Sequence, residues 1–372
     1  MGLAPASRLV GLDAARCLAL LGMVATHVVA RRDAAGEPTT LHEIAGGRAS
    51  ALFAVLLGVA IALTTGGTRP HRGRDLARDA LALAVRAVLV AAVGLALGGL
   101  ETSIAIILTY YGVVFLLALP FLALGARPLL VLGVAWAVLG PVVSHLVRPS
   151  LPPRRFDSPA LDQLAEPGRL LSELLLTGYY PAFCWLAYAL VGMGLGRLDL
   201  RPAGTAALLA VVGALVASGS VLASGVATTL AGFDPRVLDE IATGMFGQTP
   251  TEEWRWLLVV APHSTTPFDL LHTGGSAVAV IGLGLLVVGA LRAVAPSAER
   301  VVAVLLGAGT ATLSLYALHV VMRTEAVWPP EEADTLRWHW LVLLWIGALL
   351  IATGRRGPLE WLVGWLPRRI RG

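Results

Sequence analysis

The chain has 372 residues; 56% are hydrophobic and only 14% are charged. A soluble domain carries about 25% charged residues, so this composition excludes a pair of soluble domains and points to a polytopic membrane protein. The net charge is +4, all basic residues are arginine, and the two cysteines, Cys17 and Cys184, lie in apolar segments that offer neither a disulfide framework nor a thiolate metal site.

A helix needs about 20 mostly apolar residues to cross the hydrocarbon core. Ten such segments are predicted, over 9–30, 49–66, 80–99, 103–124, 129–147, 170–197, 203–224, 273–293, 300–323 and 338–354. Counting 166–177 separately makes an eleventh, interfacial element. The fold class is therefore all-α: a polytopic transmembrane bundle of 10–11 helices forming one domain over 1–372. The first segment is interrupted by Asp13 and Arg16, unlike a signal peptide, and reads as a retained helix. The tail 358–371 carries Trp361 and Trp365 four residues apart and ends in clustered arginine, which suits an interfacial helix.

Basic residues stay on the cytoplasmic side. With both termini inside, the inner segments hold 15 Arg, from Arg8 through Arg371, against 5 acids, and the outer segments 11 Arg against 18 acids. Three longer connections, 31–48, 148–169 and 225–272, fall on the outer side. No internal repeat of the transporter kind is evident.

Ionisable groups in a spanning helix are costly and mark candidate function. Asp13 and Arg16 are three apart and can pair on one face. Arg16 and His27 are eleven apart, which is three turns and about 20°, so both face the same way about 16 Å apart along the axis. Asp13–Arg16 reads either as part of a site or as a structural pair, and His27 either as a base or as a packing residue. Of eight histidines only His71 is on the inner side; His27, His42, His145, His263, His272, His319 and His339 are outer. Histidine titrates near neutrality, so this cluster suggests acid–base chemistry there, although His145 and His339 singly read as interfacial side chains. No metal-ligand spacing occurs, so no metal is expected.

Next to these lie Glu43 and Arg48 in TTLHEIAGGRAS, and Ser264 and Asp269 in APHSTTPFDLLHTGG. Ser264, Asp269 and a neighbouring histidine supply the residue types of a nucleophilic triad, but no G-x-S-x-G elbow frames them. Ser314, Tyr316 and His319 form a polar stripe in the ninth segment. The glycines of GMGLGR, Gly192 and Gly196, fit close helix packing.

The Arg16-x10-His27 pattern resembles the first-helix motif of the membrane-bound acyltransferase 3 family. The fuller runs GLDAARCLALLGMVATH, LHEIAGGRASALFAVLLGVAIAL, GYYPAFCWLAYALVGMGLGRL, SLYALHVV and GPLEWL resemble bacterial proteins similar to heparan-alpha-glucosaminide N-acetyltransferase. The resemblance implies an acyltransferase in the bacterial cytoplasmic membrane. It would move an acetyl or other acyl group from cytoplasmic acyl-CoA, as co-substrate, to a sugar or other acceptor outside. Its partners would be the lipid bilayer, acyl-CoA, a glycan or other small acceptor and, in one arrangement, a second copy as a homodimer; nucleic acid is not among them. In the lysosomal branch the position of His27 is Asn and the catalytic His lies in the following lumenal loop, where His42 stands here. His27, His42, Arg16 and Asp13 are thus the expected catalytic set, with Arg48, His263, Ser264, His272, Tyr316 and His319 binding substrate or cofactor. The competing class is a transporter or exporter with Arg16 and His27 as relay residues.

Overall fold

A computed structural model describes residues 9–327 and 335–371. Arg8, part of the inner arginine count, lies outside them. The helices are α1 (Val10–Val28), α2 (Thr40–Ala45), α3 (Arg48–Thr64), α4 (Gly73–Gly98), α5 (Leu108–Ala118), α6 (Ala126–Val147), α7 (Pro167–Ser172), α8 (Ala182–Gly196), α9 (Ala203–Leu230), α10 (Pro235–Ile241), α11 (Pro267–Val294), α12 (Pro296–Leu305), α13 (Thr312–Met322), α14 (Leu336–Ala352) and α15 (Pro358–Arg371). Among the described residues no strand forms. A bilayer leaves this choice to apolar chains, because helices satisfy every backbone N–H and C=O internally.

Among the described residues, six helical segments are long and apolar enough to cross a membrane, seven if the bent pair Pro167–Thr177 and Ala182–Gly196 counts as one span. Residues 108–121, α13 and α14 are shorter apolar helices. The expectation of ten unbroken spans is corrected at three places. The 103–124 segment is non-helical through Ile107. The 170–197 segment bends by 52° between Thr177 and Ala182, where Gly178 and Pro181 interrupt the ladder. The 300–323 segment breaks between α12 and α13 at Gly307–Ala311, where glycine weakens the helix. Such discontinuous helices are a feature that transporter folds also use.

The core is built by α1, α3, α8 and α11, which pack on one another, while α6 and α9 flank α8 and α11. Glycine sets the spacing between α3 and α8. A Cβ at Gly192 would strike the backbone carbonyl of Val55, and one at Gly196 would meet Ala62 and the carbonyl of Val59, as GMGLGR led us to expect. The outward faces of α6 and α9 expose Val131, Val134, Leu139, Leu208, Leu215 and Leu222. Apolar surface on that scale needs lipid or a partner to cover it.

The tail helix α15 packs on α4 and α13. Glu360 accepts from the backbone N–H of Leu313 at 2.6 Å and of Ser314 at 3.2 Å, so a carboxylate from α15 caps the positive start of α13. Arg371 pairs with Asp79 of α4 at 3.0 Å. Trp361 and Trp365 remain exposed on its other side.

Candidate active site

α1 touches two separate cavities. The first, about 170 Å³, lies at its Arg16 end. Arg16, Arg86 and Arg371 contribute guanidinium groups to a wall otherwise built of residues such as Phe53, Tyr111 and Tyr316. Arg16 donates to Asp13 Oδ1 at 2.8 Å, confirming the pairing read from their spacing. Arg86 lies over the Phe115 ring at 5.8 Å, and its Nε is buried without a hydrogen-bond partner.

The second cavity, about 820 Å³, lies at the His27 end and is lined by His27, His42, His263, Arg31, Tyr179 and Tyr180. Its size suits a small polar ligand. The stretch 103–108, non-helical through Ile107, lines both cavities: Ser103 and Ala105 the second, Ile107 and Leu108 the first. Irregular backbone at membrane depth persists only where other groups satisfy it. Here Ser158 Oγ accepts from Ile106 N–H at 3.0 Å, Tyr316 Oη accepts from Ile107 N–H at 3.4 Å, and Tyr180 Oη donates to the Ala105 carbonyl at 3.3 Å.

The three histidines of this cavity are held differently. His27 has Nδ1 turned to His319 Nε2 at 3.2 Å, which leaves Nε2 for the cavity. His42 bonds Thr39 Oγ1 through Nδ1 at 3.2 Å, and its ring also meets the Thr26 backbone carbonyl. His263 sits in the loop before α11 at φ 57°, followed two residues on by Thr265 at φ 55°. Two non-glycine residues in the left-handed region within one loop mark strain that the surrounding structure must hold. The Tyr180 ring packs edge-on against His263 at 5.7 Å. Burial, then the Arg31 guanidinium, pushes the His263 imidazole down to about 4.

The other residues expected to bind substrate or cofactor lie outside the His27 cavity. Arg48 and His272 line a third cavity of about 430 Å³, next to the second and sharing His42 with it. His272 is fully engaged: its Nδ1–H donates to the Ala217 carbonyl at 3.0 Å and its Nε2 accepts from Arg48 Nε at 3.1 Å. Tyr316 belongs to the first cavity, not to the histidine cluster. His319 is buried behind His27 and is not among the residues lining the second cavity. The Ser264–Asp269 triad is replaced by a helix cap. Asp269 accepts from Thr265 N–H at 2.9 Å, and Thr266 Oγ1 accepts from Asp269 N–H at 3.1 Å at the start of α11. Ser264 is buried with its hydroxyl 3.4 Å from Thr266 Oγ1.

The sequence reading missed Arg86, Arg371, Tyr179 and Tyr180 as cavity-lining residues. Arg86 had a usable signal, an arginine in the middle of an apolar span. The others depend on which helices meet. Among the described residues no group of three or more His, Cys, Asp or Glu is arranged to hold a metal ion.

Residues 8–223 match the family model described as heparan-alpha-glucosaminide N-acetyltransferase, catalytic. That region contains α1 and both His27 and His42, and ends before His263, His319 and His339. No curated protein matches the chain.

Proposed function

Because the chain belongs to the heparan-alpha-glucosaminide N-acetyltransferase family, we propose that it transfers an acetyl or other acyl group from acyl-CoA, whose anionic part meets the arginines at the Arg16 cavity and whose thioester reaches the His27 cavity, to an acceptor held there. The coarse activity, acetyl transfer by a multi-pass membrane protein, follows from membership. The assignment of ends is our reading, and one observation carries it: a single helix presents Arg16 to one cavity and His27 to another, and the stretch 103–108 lines both.

Chemistry supports the division. Three guanidinium groups, one with a buried unpartnered Nε, suit the anionic donor. The roomier cavity combines imidazoles with Arg31, Asp33 and two tyrosines, groups that suit a hydroxylated acceptor such as a sugar. His27 is the general base in this scheme. It takes the proton from the acceptor hydroxyl or amine as that atom attacks the thioester carbonyl, and returns it to the departing thiolate. His42 is the less suited base, since its ring contacts Thr39 and the Thr26 carbonyl. Asp13 fixes Arg16, while Arg48, locked by His272, shapes the neighbouring cavity.

The arginine distribution supports placing both termini and the donor cavity on the cytoplasmic side of a bacterial cell membrane, with the acceptor outside and α15 along the surface. A homodimer is compatible with the exposed faces of α6 and α9 but nothing selects it. Acyl transfer by purified His27→Ala and His42→Ala protein tests the reading, and unchanged activity in both sinks it. The transporter class retains one specific support, the bent α7–α8 pair. A calorimetric titration with CoA separates the two, because transport of another solute gives no reason for CoA to bind.

A further inference from the structure

Behind the His27 cavity lies a row of three histidines from three helices. His27 of α1 meets His319 of α13, Nδ1 to Nε2, at 3.2 Å, with the ring planes 6° from parallel and the centroids 5.4 Å apart, as in-plane N–H···N bonding requires. His319 meets His339 of α14, Nδ1 to Nδ1, at 3.1 Å. His319 and His339 are both fully buried.

A neutral imidazole carries one N–H and one bare nitrogen. His319, in the middle, uses both nitrogens, so it donates on one side and accepts on the other. Only two proton arrangements then satisfy the row. In the first, His27 Nδ1–H donates to His319, His319 Nδ1–H donates to His339, and His27 Nε2 is bare toward the cavity. In the second, both bonds run the other way and His27 Nε2 carries a proton. The state of the cavity-facing nitrogen is therefore tied to the state of His339, two rings away.

We infer that His319 and His339 are positioning residues for acyl transfer, holding His27 as the Nδ1–H tautomer and relaying its Nδ1 proton when its Nε2 takes one. This rests on the reading of His27 as the base. As the acceptor O–H or N–H bond breaks, its proton bonds to His27 Nε2. The Nδ1 proton of His27 passes to His319 Nε2, and the Nδ1 proton of His319 passes to His339 Nδ1, which becomes the imidazolium. When the thioester C–S bond breaks, the row runs back and His27 Nε2 delivers its proton to the thiolate. No proton is gained or lost overall, and no other acid or base is needed. What the row supplies is direction: with His319 and His339 accepting in turn, His27 keeps Nε2 bare toward the cavity and ready for the acceptor proton.

The test pairs kinetics with nitrogen NMR on protein carrying ¹⁵N-histidine. In the unmodified chain at about pH 8, where histidine is neutral, His27 should show a protonated Nδ1 and a bare Nε2. A protonated Nε2 overturns the relay without any variant. His339→Asn keeps an acceptor for His319 but cannot take on a proton; it should keep the His27 tautomer and lower kcat about 10- to 100-fold, the usual loss for a partner behind a reactive histidine, with KM for both substrates unchanged. His339→Phe should also mix the His27 tautomers. If both variants keep kcat within about twofold while His27→Ala is inactive, the relay is wrong and His27 remains the base. If His27→Ala itself stays active, the functional reading fails first.

Discussion

The two ends of α1 solve opposite problems with the same helix. At the Arg16 end the charges are permanent: arginines gather around a small cavity, and each of two is steadied by a carboxylate, Arg16 by Asp13 and Arg371 by Asp79. At the His27 end the cavity is nearly five times as large by volume, and three of the groups lining it are imidazoles, a group that ordinarily titrates near neutrality, with His263 held down to about 4 by burial and Arg31. Guanidinium groups bind and orient anions but do not exchange protons in this range. Imidazoles do. On the proposed function, the Arg-x10-His spacing is a division of labour along one helix, with holding at one end and proton transfer at the other.

Mutations at each end should separate these roles. His27→Ala should have the largest effect, lowering kcat by about 100-fold or more, the usual worth of a general base, with acyl-CoA affinity unchanged; steady-state kinetics against both substrates checks it. Arg16→Ala should do the reverse, weakening acyl-CoA binding about tenfold, as loss of a charge-assisted hydrogen bond does, with a smaller change in kcat; CoA titration reads it directly. His42→Ala should act more weakly than either and mainly on acceptor KM, because His42 lines the acceptor cavity without an open nitrogen comparable to that of His27. Equal kcat losses for His27→Ala and Arg16→Ala would dissolve the division.

The smallest expected effect is on stability. His263 is held neutral in the fold, down to about 4, while an unfolded histidine titrates at about 6.5. Between these values the unfolded chain binds the extra proton. His263 therefore contributes stability that is complete above pH 6.5 and is lost progressively as pH falls toward 4. Thermal unfolding across that window should show the loss, and His263→Gln should flatten it.

How much of this the sequence carried can be judged at particular residues. Asp13, Arg16 and His27 lie on one helix, so their pairing and their shared face follow from 3.6 residues per turn. The same local rule made Gly192 and Gly196 legible as packing positions. It failed where helices stop. Gly178, Pro181 and the Gly307–Ala311 stretch lie inside apolar runs that hydropathy alone reads as continuous, so the bent α7–α8 pair and the α12–α13 break were missed. It failed again where function depends on which helices meet. His27 and His319 are 292 residues apart, and no periodicity relates them; Asp269 resembled a triad acid because a helix cap and a catalytic acid use the same residue types. The matched family region, 8–223, includes α1 but not α13 or α14, so the partners of His27 emerge only from the fold.

The most direct measurement is single-turnover acyl transfer by His27→Ala protein saturated with acetyl-CoA, with CoA binding measured on the same sample. Donor binding equal to that of the unmodified chain, together with transfer slowed by about 100-fold or more, is the predicted result. Transfer at the unmodified rate, or a protein that binds no CoA, would contradict the assignment of one end of α1 to the donor and the other to the proton.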